Sequence, residues 1–206
     1  MGKIPEKTIE RLSKYRVAVL SYQAVGKHHI FSHQLASLLH ITPVQVRRDL
    51  MLIGHTGTLR RGYEIQELID NIGKILDTES GLRVAVIGLG NLGKAFISYL
   101  NGKRSKLSIV AAFDINNEKI GRNFAGIPCF HFDRLAEVVK EENISIGIIS
   151  VPAEHAVYVA EMLVIAGVKG ILNYSPKPLN VPQHVFLEEY DMITSLEKVA
   201  FFSKVQ

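Results

Sequence analysis

Arg83-Val84-Ala85-Val86-Ile87-Gly88-Leu89-Gly90-Asn91-Leu92-Gly93 is the stretch that decides the fold. An apolar, β-branched run feeds straight into Gly88-x-Gly90-x-x-Gly93, and a helix-like segment, Lys94 to Leu100, follows. Strand, glycine turn and helix in that order form the context that a dinucleotide fingerprint requires. Gly88 suits the tight turn, Gly90 the close approach of backbone to a pyrophosphate, and Gly93 the packing of helix on strand. The helix start at Asn91-Leu92 offers unpaired N–H groups and a positive dipole end to phosphate.

Working outward, a second strand-like run, Ser108 to Phe113, ends at Asp114. That acid lies about 20 residues past the fingerprint, where a carboxylate takes the adenosine ribose hydroxyls. It is also suited to capping the loop at Asn116-Asn117. A carboxylate there repels the 2′-phosphate of NADP, so NAD(H) is the expected cofactor. Beyond it the pattern alternates: a short strand at Pro128-Cys129-Phe130, a helix over 133–142, a buried strand over 144–151, a helix over 154–166 and a strand over 170–173. Such alternation predicts an α/β fold, a Rossmann-type doubly wound parallel sheet with ligands at the carboxyl ends of its strands. Val151-Pro152 and Asn173-Tyr174 fall at such ends and join Gly88, Leu89, Gly90, Asn91, Leu92, Gly93 and Asp114 as expected cofactor-binding residues.

Residues 1–80 read differently. Ile9, Leu12, Tyr15, Val19 and Tyr22 form a helical stripe over 8–25. Ser32 is placed to cap a short helix bearing Leu35, Ala36 and Leu39. Thr42-Pro43-Val44-Gln45 announces a third helix, with Thr42 as N-cap, Pro43 in the first position and Gln45 completing a capping box. Val46, Leu50 and Ile53 share one face of it; Gln45, Arg48 and Leu52 point the other way, with Arg47 on the flank. Two short helices and a tight turn, the second carrying Gln and Arg outward, fit a helix-turn-helix. Arg matches guanine O6/N7, and Gln pairs with adenine. Glycines at 54, 57 and 62 bracket Arg60-Arg61, which reads as a wing hairpin able to meet phosphates or a minor groove. An amphipathic helix over 66–76 and a polar boundary at 77–81 follow.

The expected organisation is a winged-helix DNA-binding domain over 1–80, a Rossmann domain over 81–193 and a C-terminal helix over 194–206. Thr194-Ser195-Leu196-Glu197 reads as a capping box, and Leu196, Val199, Ala200, Phe201, Phe202 and Val205 surround that helix with apolar side chains. A helix of this kind is buried, inside its own domain or against another chain.

Composition narrows the function classes. The chain has 206 residues, 47% hydrophobic and 21% charged, as for an ordinary globular protein. The net charge is +4, and residues 1–80 hold 11 Lys/Arg against 8 Asp/Glu, so most of the excess lies in the first part. That permits nucleic-acid binding. No apolar run of roughly 18 residues marks a membrane span, and the N-terminus lacks an apolar signal core. A single cysteine, Cys129, forms no internal disulfide, reads as a buried small hydrophobe, and fits a cytoplasmic protein. His131, His155 and His184 are scattered, and no spacing suggests a catalytic nucleophile, a general acid–base pair or a metal site. A small NAD-dependent oxidoreductase with a helical accessory domain, and a nucleotide- or CoA-binding module without a DNA role, are the alternatives.

Taken together, the chain resembles the redox-sensing transcriptional repressor Rex family. The likeness rests on Ile4-Pro5-Glu6, Arg11-Leu12, Tyr15, Val46-Arg47-Arg48-Asp49-Leu50, Gly54, Gly57-Thr58, Gly62-Tyr63, the fingerprint, Phe113-Asp114, Lys119-Ile120-Gly121, Val151-Pro152-Ala153 and residues 166–173. It implies a homodimer on palindromic operator DNA, sensing the NADH/NAD⁺ ratio and released by NADH, with the terminal helix swapped into its partner. On that likeness Gln45, Arg47, Arg48, Arg60 and Arg61 are the DNA-binding residues, and Tyr99 and Asp191 belong to a redox-switch network. Three positions depart from the family pattern. Val17 stands where an Arg is usual, with Arg16 one step earlier and about 100° around the helix. Met192 stands where an aromatic follows the Asp, and Leu59 separates Gly57-Thr58 from Arg60-Arg61.

Overall fold

The computed structural model describes residues 4–58, 61–100 and 106–204. The chain divides into two compact units, Met1–Thr78 and Glu79–Gln206.

The N-terminal unit consists of α1 (Glu6–Ala24), β1 (His29–Ile30), α2 (Ser32–Leu39), α3 (Pro43–Leu52), β2 (Tyr63–Glu64) and α4 (Ile65–Leu76). Leu12, Tyr15 and Val19 on α1 meet Leu35 of α2, Val46 and Leu50 of α3, and Leu68 and Ile72 of α4 in one core, all fully buried. The helical spacing of these residues is what brings them to a single side of each helix. β1 pairs antiparallel with β2, Ile30 opposite Tyr63, and a bridge between Thr58 and Gly62 closes the loop that carries Arg61. The strand partner at His29–Ile30 has no alternating pattern long enough to announce it.

One helix start and one half of a capping box differ from the expectation. Ser32 lies inside α2; the cap is Phe31, whose N–H donates to Gln34 Oε1 at 2.8 Å. Thr42 does cap α3, accepting from Gln45 N at 3.2 Å. The Gln45 side chain, however, does not return to the cap. It donates to Asp49 Oδ1 at 2.9 Å, because an ionised acceptor one turn away is the stronger partner.

The C-terminal unit contains β3 (Leu82–Ile87), α5 (Asn91–Leu100), β4 (Leu107–Asp114), β5 (Asn123–Phe124), β6 (Ile127–His131), a 3₁₀ turn (Phe132–Arg134), α6 (Leu135–Glu141), β7 (Ile144–Ile149), α7 (Ala153–Ala166), β8 (Gly170–Asn173), β9 (Phe186–Glu189) and α8 (Met192–Ser203). The sheet order is β5-β6-β4-β3-β7-β8-β9. Every pairing is parallel except the β5–β6 hairpin. Strand order therefore runs one way from β3 through β4 to β6 and the other way from β7 to β9, with the switch at β3/β7. One face is covered by α6 and α7 through Leu135, Val138, Val159 and Leu163; the other packs Ile97 of α5 on Val84, Val86 and Ile148. Cys129 is buried in that second face, as a small hydrophobe would be.

α8 departs from its predicted start. Asp191, not Thr194, is the N-cap, accepting from Ile193 N at 2.9 Å, Thr194 N at 3.3 Å and Thr194 Oγ1 at 2.6 Å. No residue of α8 is buried within its own chain; Leu196, Val199, Phe201 and Phe202 are each 60–69% exposed. Of the two placements expected for this helix, the one inside its own domain is not found.

Candidate functional site

At the strand switch, the carboxyl ends of β3, β4 and β7 open a cleft of about 490 Å³. Ile87, Gly88 and Gly90 form one wall, Asp114 with Ile115 and Lys119 a second, and Ser150, Val151 and Pro152 a third. Gly88 sits at φ +94°, and a Cβ there would meet Ser150 O at 2.8 Å, so only glycine makes the turn. A Cβ on Gly93 would overlap the Gly88 carbonyl oxygen, which is the close helix–strand packing this position exists for. A Cβ on Gly90 would meet nothing within 4 Å. The backbone there faces open space beside the first turn of α5, whose N–H groups have no intrahelical partners. Pyrophosphate needs such a cradle.

Asp114 is nearly buried and closely held. Its Oδ2 accepts from Leu89 N and from Lys119 Nζ, each at 2.8 Å, and its Oδ1 accepts from Asn116 N at 2.9 Å. Burial pushes the carboxyl up, but Lys119 and the Asn116 and Leu89 amides outweigh it and hold the group below the usual carboxylate range. A carboxylate has about four acceptor positions, so Oδ1 keeps one for a ligand hydroxyl. The two readings of Asp114, loop cap and ligand acceptor, are thus compatible.

Several cleft residues escaped the sequence reading. His155 and Tyr158, one turn apart on α7, line the cleft with Phe132. A helix-surface histidine carries no signal until the switch point is located. Asn173 and Tyr174 do not line the cleft. Asn173 is buried, donating to Lys177 O at 2.9 Å and accepting from Ser175 N at 2.9 Å; Tyr174 packs between Phe96 and Tyr190, with ring centroids 4.4 and 5.2 Å away. Leu89 is buried, and its N–H is what Asp114 accepts. Asn91 and Leu92 open α5. Tyr99 is 65% exposed at the far end of α5, and Asp191 caps α8.

In the N-terminal unit, Arg47, Arg48 and Arg61 are exposed; Arg60 lies outside the described residues. Arg47 Nη1 donates to Ser32 Oγ at 3.1 Å. Beneath them Asp49, fully buried, accepts from Arg11 Nε at 2.6 Å and Nη2 at 2.8 Å, from Tyr15 Oη at 2.7 Å and from Gln45. Burial raises its pKa, but Arg11, Tyr15 and Gln45 overcome that and keep it ionised. The same burial, reinforced by Asp49, pushes the Tyr15 hydroxyl well up. This network fixes α3 on α1, so Arg47 and Arg48 stand on a rigid helix. Arg16 Nη1 pairs with Asp77 Oδ1 at 2.7 Å. Among the described residues no helix is long and apolar enough to cross a membrane.

Residues 79–177 match the family described as CoA binding domain, and residues 3–50 match Putative DNA-binding protein N-terminus. The redox-sensing transcriptional repressor Rex of Carboxydothermus hydrogenoformans is 41% identical over 97% of this chain and 96% of its own length. The Rex of Bacillus subtilis is 37% identical, over 98% and 94%. Among solved structures, RSP in complex with β-NAD⁺ and operator DNA superposes with a TM-score of 0.88 at 30% identity, covering 98% of this chain and 93% of that one. RSP in complex with β-NADH gives 0.87 at 29% identity, covering all of both chains. With relatives this similar along nearly its full length, a parallel α/β unit carrying the dinucleotide turn and an N-terminal helical unit presenting arginines, the chain belongs to the Rex family of redox-sensing transcriptional repressors.

Proposed function

We propose that this chain is a homodimeric repressor that binds palindromic operator DNA through residues 1–80 and leaves it when NADH fills the cleft, reporting the NADH/NAD⁺ ratio. One observation carries the reading: a single chain joins exposed Arg47 and Arg48 on a helix-turn-helix to a glycine-cradled cleft at the switch point of a parallel sheet. RSP has been seen with NAD⁺ and operator DNA together and with NADH; the similarity extends that pairing here. Gly88, Gly90 and the start of α5 take the pyrophosphate. Asp114 takes the adenosine ribose, and Val151 and Pro152 floor the cleft.

The dimer is supported by α8. Leu196, Val199, Phe201 and Phe202 are exposed in the single chain, and burying each is worth about 1.5–3 kcal/mol. A second copy, exchanging this helix, is the natural cover. NADH acts by binding one dimer state better than the other, since a ligand with equal affinity for both shifts nothing. The cleft is a sensor in the cytoplasm rather than the active centre of an oxidoreductase, a reading supported by the likeness to Rex repressors along nearly the full chain.

A gel shift on palindromic DNA with NADH titrated in is the test. Retention of a defined palindrome, released by NADH and not by equal NAD⁺, supports the reading. No sequence-selective binding, with NADH oxidised in the presence of a carbonyl substrate, overturns it in favour of the enzyme.

A further inference from the structure

Resting on the DNA-binding reading above, we propose that Val44 is a specificity-determining residue that packs against the 5-methyl group of an operator thymine. At about 100° per residue, Val44, Arg48 and Met51 share the outward face of α3, opposite Val46, Leu50 and Ile53 in the core. Val44 is 53% exposed in the second position of the helix. It serves no interior, and recognition helices contact base edges with their N-terminal residues.

Its polar neighbour does not compete for that place. Asp49 is ionised and only accepts, so Gln45 turns its amide nitrogen inward to it. The first turn is left with an apolar, β-branched side chain facing out, and such a side chain is nearly fixed at χ1 in a helix. Valine neither donates nor accepts. In the major groove the feature it can distinguish is the thymine 5-methyl, which cytosine lacks. Arg47 and Arg48 beside it supply the charge that holds a duplex. Val44 and Arg48 are one turn apart, about 6 Å along the helix axis, so the thymine lies within about two base steps of the base that Arg48 reads.

The experiment uses the full-length protein. Its palindromic site is first selected from random duplexes, and each thymine of the half-site is then replaced by deoxyuridine, which removes only the methyl. Wild type should lose about fourfold in affinity when one thymine is replaced in a single half-site, the worth of one apolar carbon. Val44→Ala should bind the thymine and uracil duplexes equally, while Met51→Ala keeps the fourfold difference. Unchanged nonspecific DNA affinity and circular dichroism show that the variant folds. Methyl removal that costs wild type nothing at every thymine overturns the proposal, as does an equal cost in Val44→Ala. If selection enriches no sequence at all, the DNA-binding reading itself has failed.

Discussion

Asp49→Ala tests how the N-terminal unit is held together. The carboxylate accepts two bonds from Arg11, one from Tyr15, one from Gln45 and a long one from Thr8 Oγ1 at 3.4 Å. Bonds to a charged group contribute about 1.5–3 kcal/mol each, and the fully buried Tyr15 hydroxyl is left without its acceptor. The bonds do not add in full, because the Arg11 side chain is 21% exposed and regains some hydration. The expected loss is about 3–5 kcal/mol, as for removing one member of a buried pair. Tyr15→Phe removes a single bond, leaves the Asp49–Arg11 pair intact, and should cost about 1.5–3 kcal/mol. A chain of two units does not unfold as one two-state system, so native-state hydrogen exchange is the assay, with the amides of α1, α3 and α4 read separately from those of β3 and β4. Only the former should lose protection. A change below about 0.5 kcal/mol in Asp49→Ala, the ordinary range of surface substitutions, refutes the reasoning.

The sign of the pH dependence follows from the same cluster. Asp49 is held below its ordinary range when folded, so its stabilisation is complete above the unfolded value of about 3.9 and is lost as pH falls through the lower folded value. The difference between wild type and Asp49→Ala should be flat near neutrality and close below about pH 4. Tyr15 is the reverse case: burial, then Asp49, raises it, so its contribution is complete below about pH 10 and is lost as pH rises through the higher folded value.

Gly90→Ala should fold as wild type, since the new methyl meets nothing within 4 Å, yet lose NADH affinity in calorimetry; normal affinity would place the pyrophosphate elsewhere. Gly93→Ala should instead destabilise the α/β unit, because its methyl overlaps backbone, and hydrogen exchange in β3 reads that. Asp114→Ala removes the acceptor of Leu89, Asn116 and Lys119, and should weaken NADH and narrow its preference over NADPH; equal binding before and after counts against the ribose role. A chain ending at residue 191 should be monomeric by light scattering while still binding NADH, and a persistent dimer would contradict the role given to α8.

The fold was legible where one periodicity governs one element. Val84 to Ile87 with its glycines, the stripe from Leu12 to Val19, and Thr42-Pro43 each specify a local structure with a single physical reason. β1 and β9 were not legible: His29–Ile30 is two residues long and Phe186–Glu189 is mostly exposed, so neither carries a pattern and both exist only because a partner strand is waiting. The cleft was legible through its backbone, the glycines, and through an acid at a fixed distance. His155 and Tyr158 reach it from a helix whose sequence records only which side is buried. Asp49 shows the limit most clearly. It reads as a charged residue on an arginine-rich helix, and nothing local says that Arg11 and Tyr15, more than 30 positions earlier, will bury it.

The ion pair that the family pattern implies lacks its usual arginine in this chain. Val17 occupies the arginine position and is exposed. Arg16 is largely buried and already paired with Asp77, and freeing it would break a 2.7 Å bond within its own domain. Asp191 accepts from the first turn of α8 with both oxygens, and Oδ1 keeps one acceptor position. A packed route does run from the nucleotide helix to that cap: Phe96 on α5 against Tyr174, Tyr174 against Tyr190, and Tyr190 next to Asp191 in sequence. Rings at 4.4 and 5.2 Å transmit displacement because packed interiors deform little. Any displacement of α5 is thereby passed to the root of α8, the helix proposed to join the dimer. Arg16→Ala should accordingly lower N-terminal stability by about 1 kcal/mol and leave unchanged the ratio of operator affinities without and with NADH. Tyr174→Leu, which keeps an apolar side chain but breaks both ring contacts, should reduce that ratio while NADH still binds. The opposite pattern, a ratio lost in Arg16→Ala and kept in Tyr174→Leu, would return the switch to the arginine one step out of register.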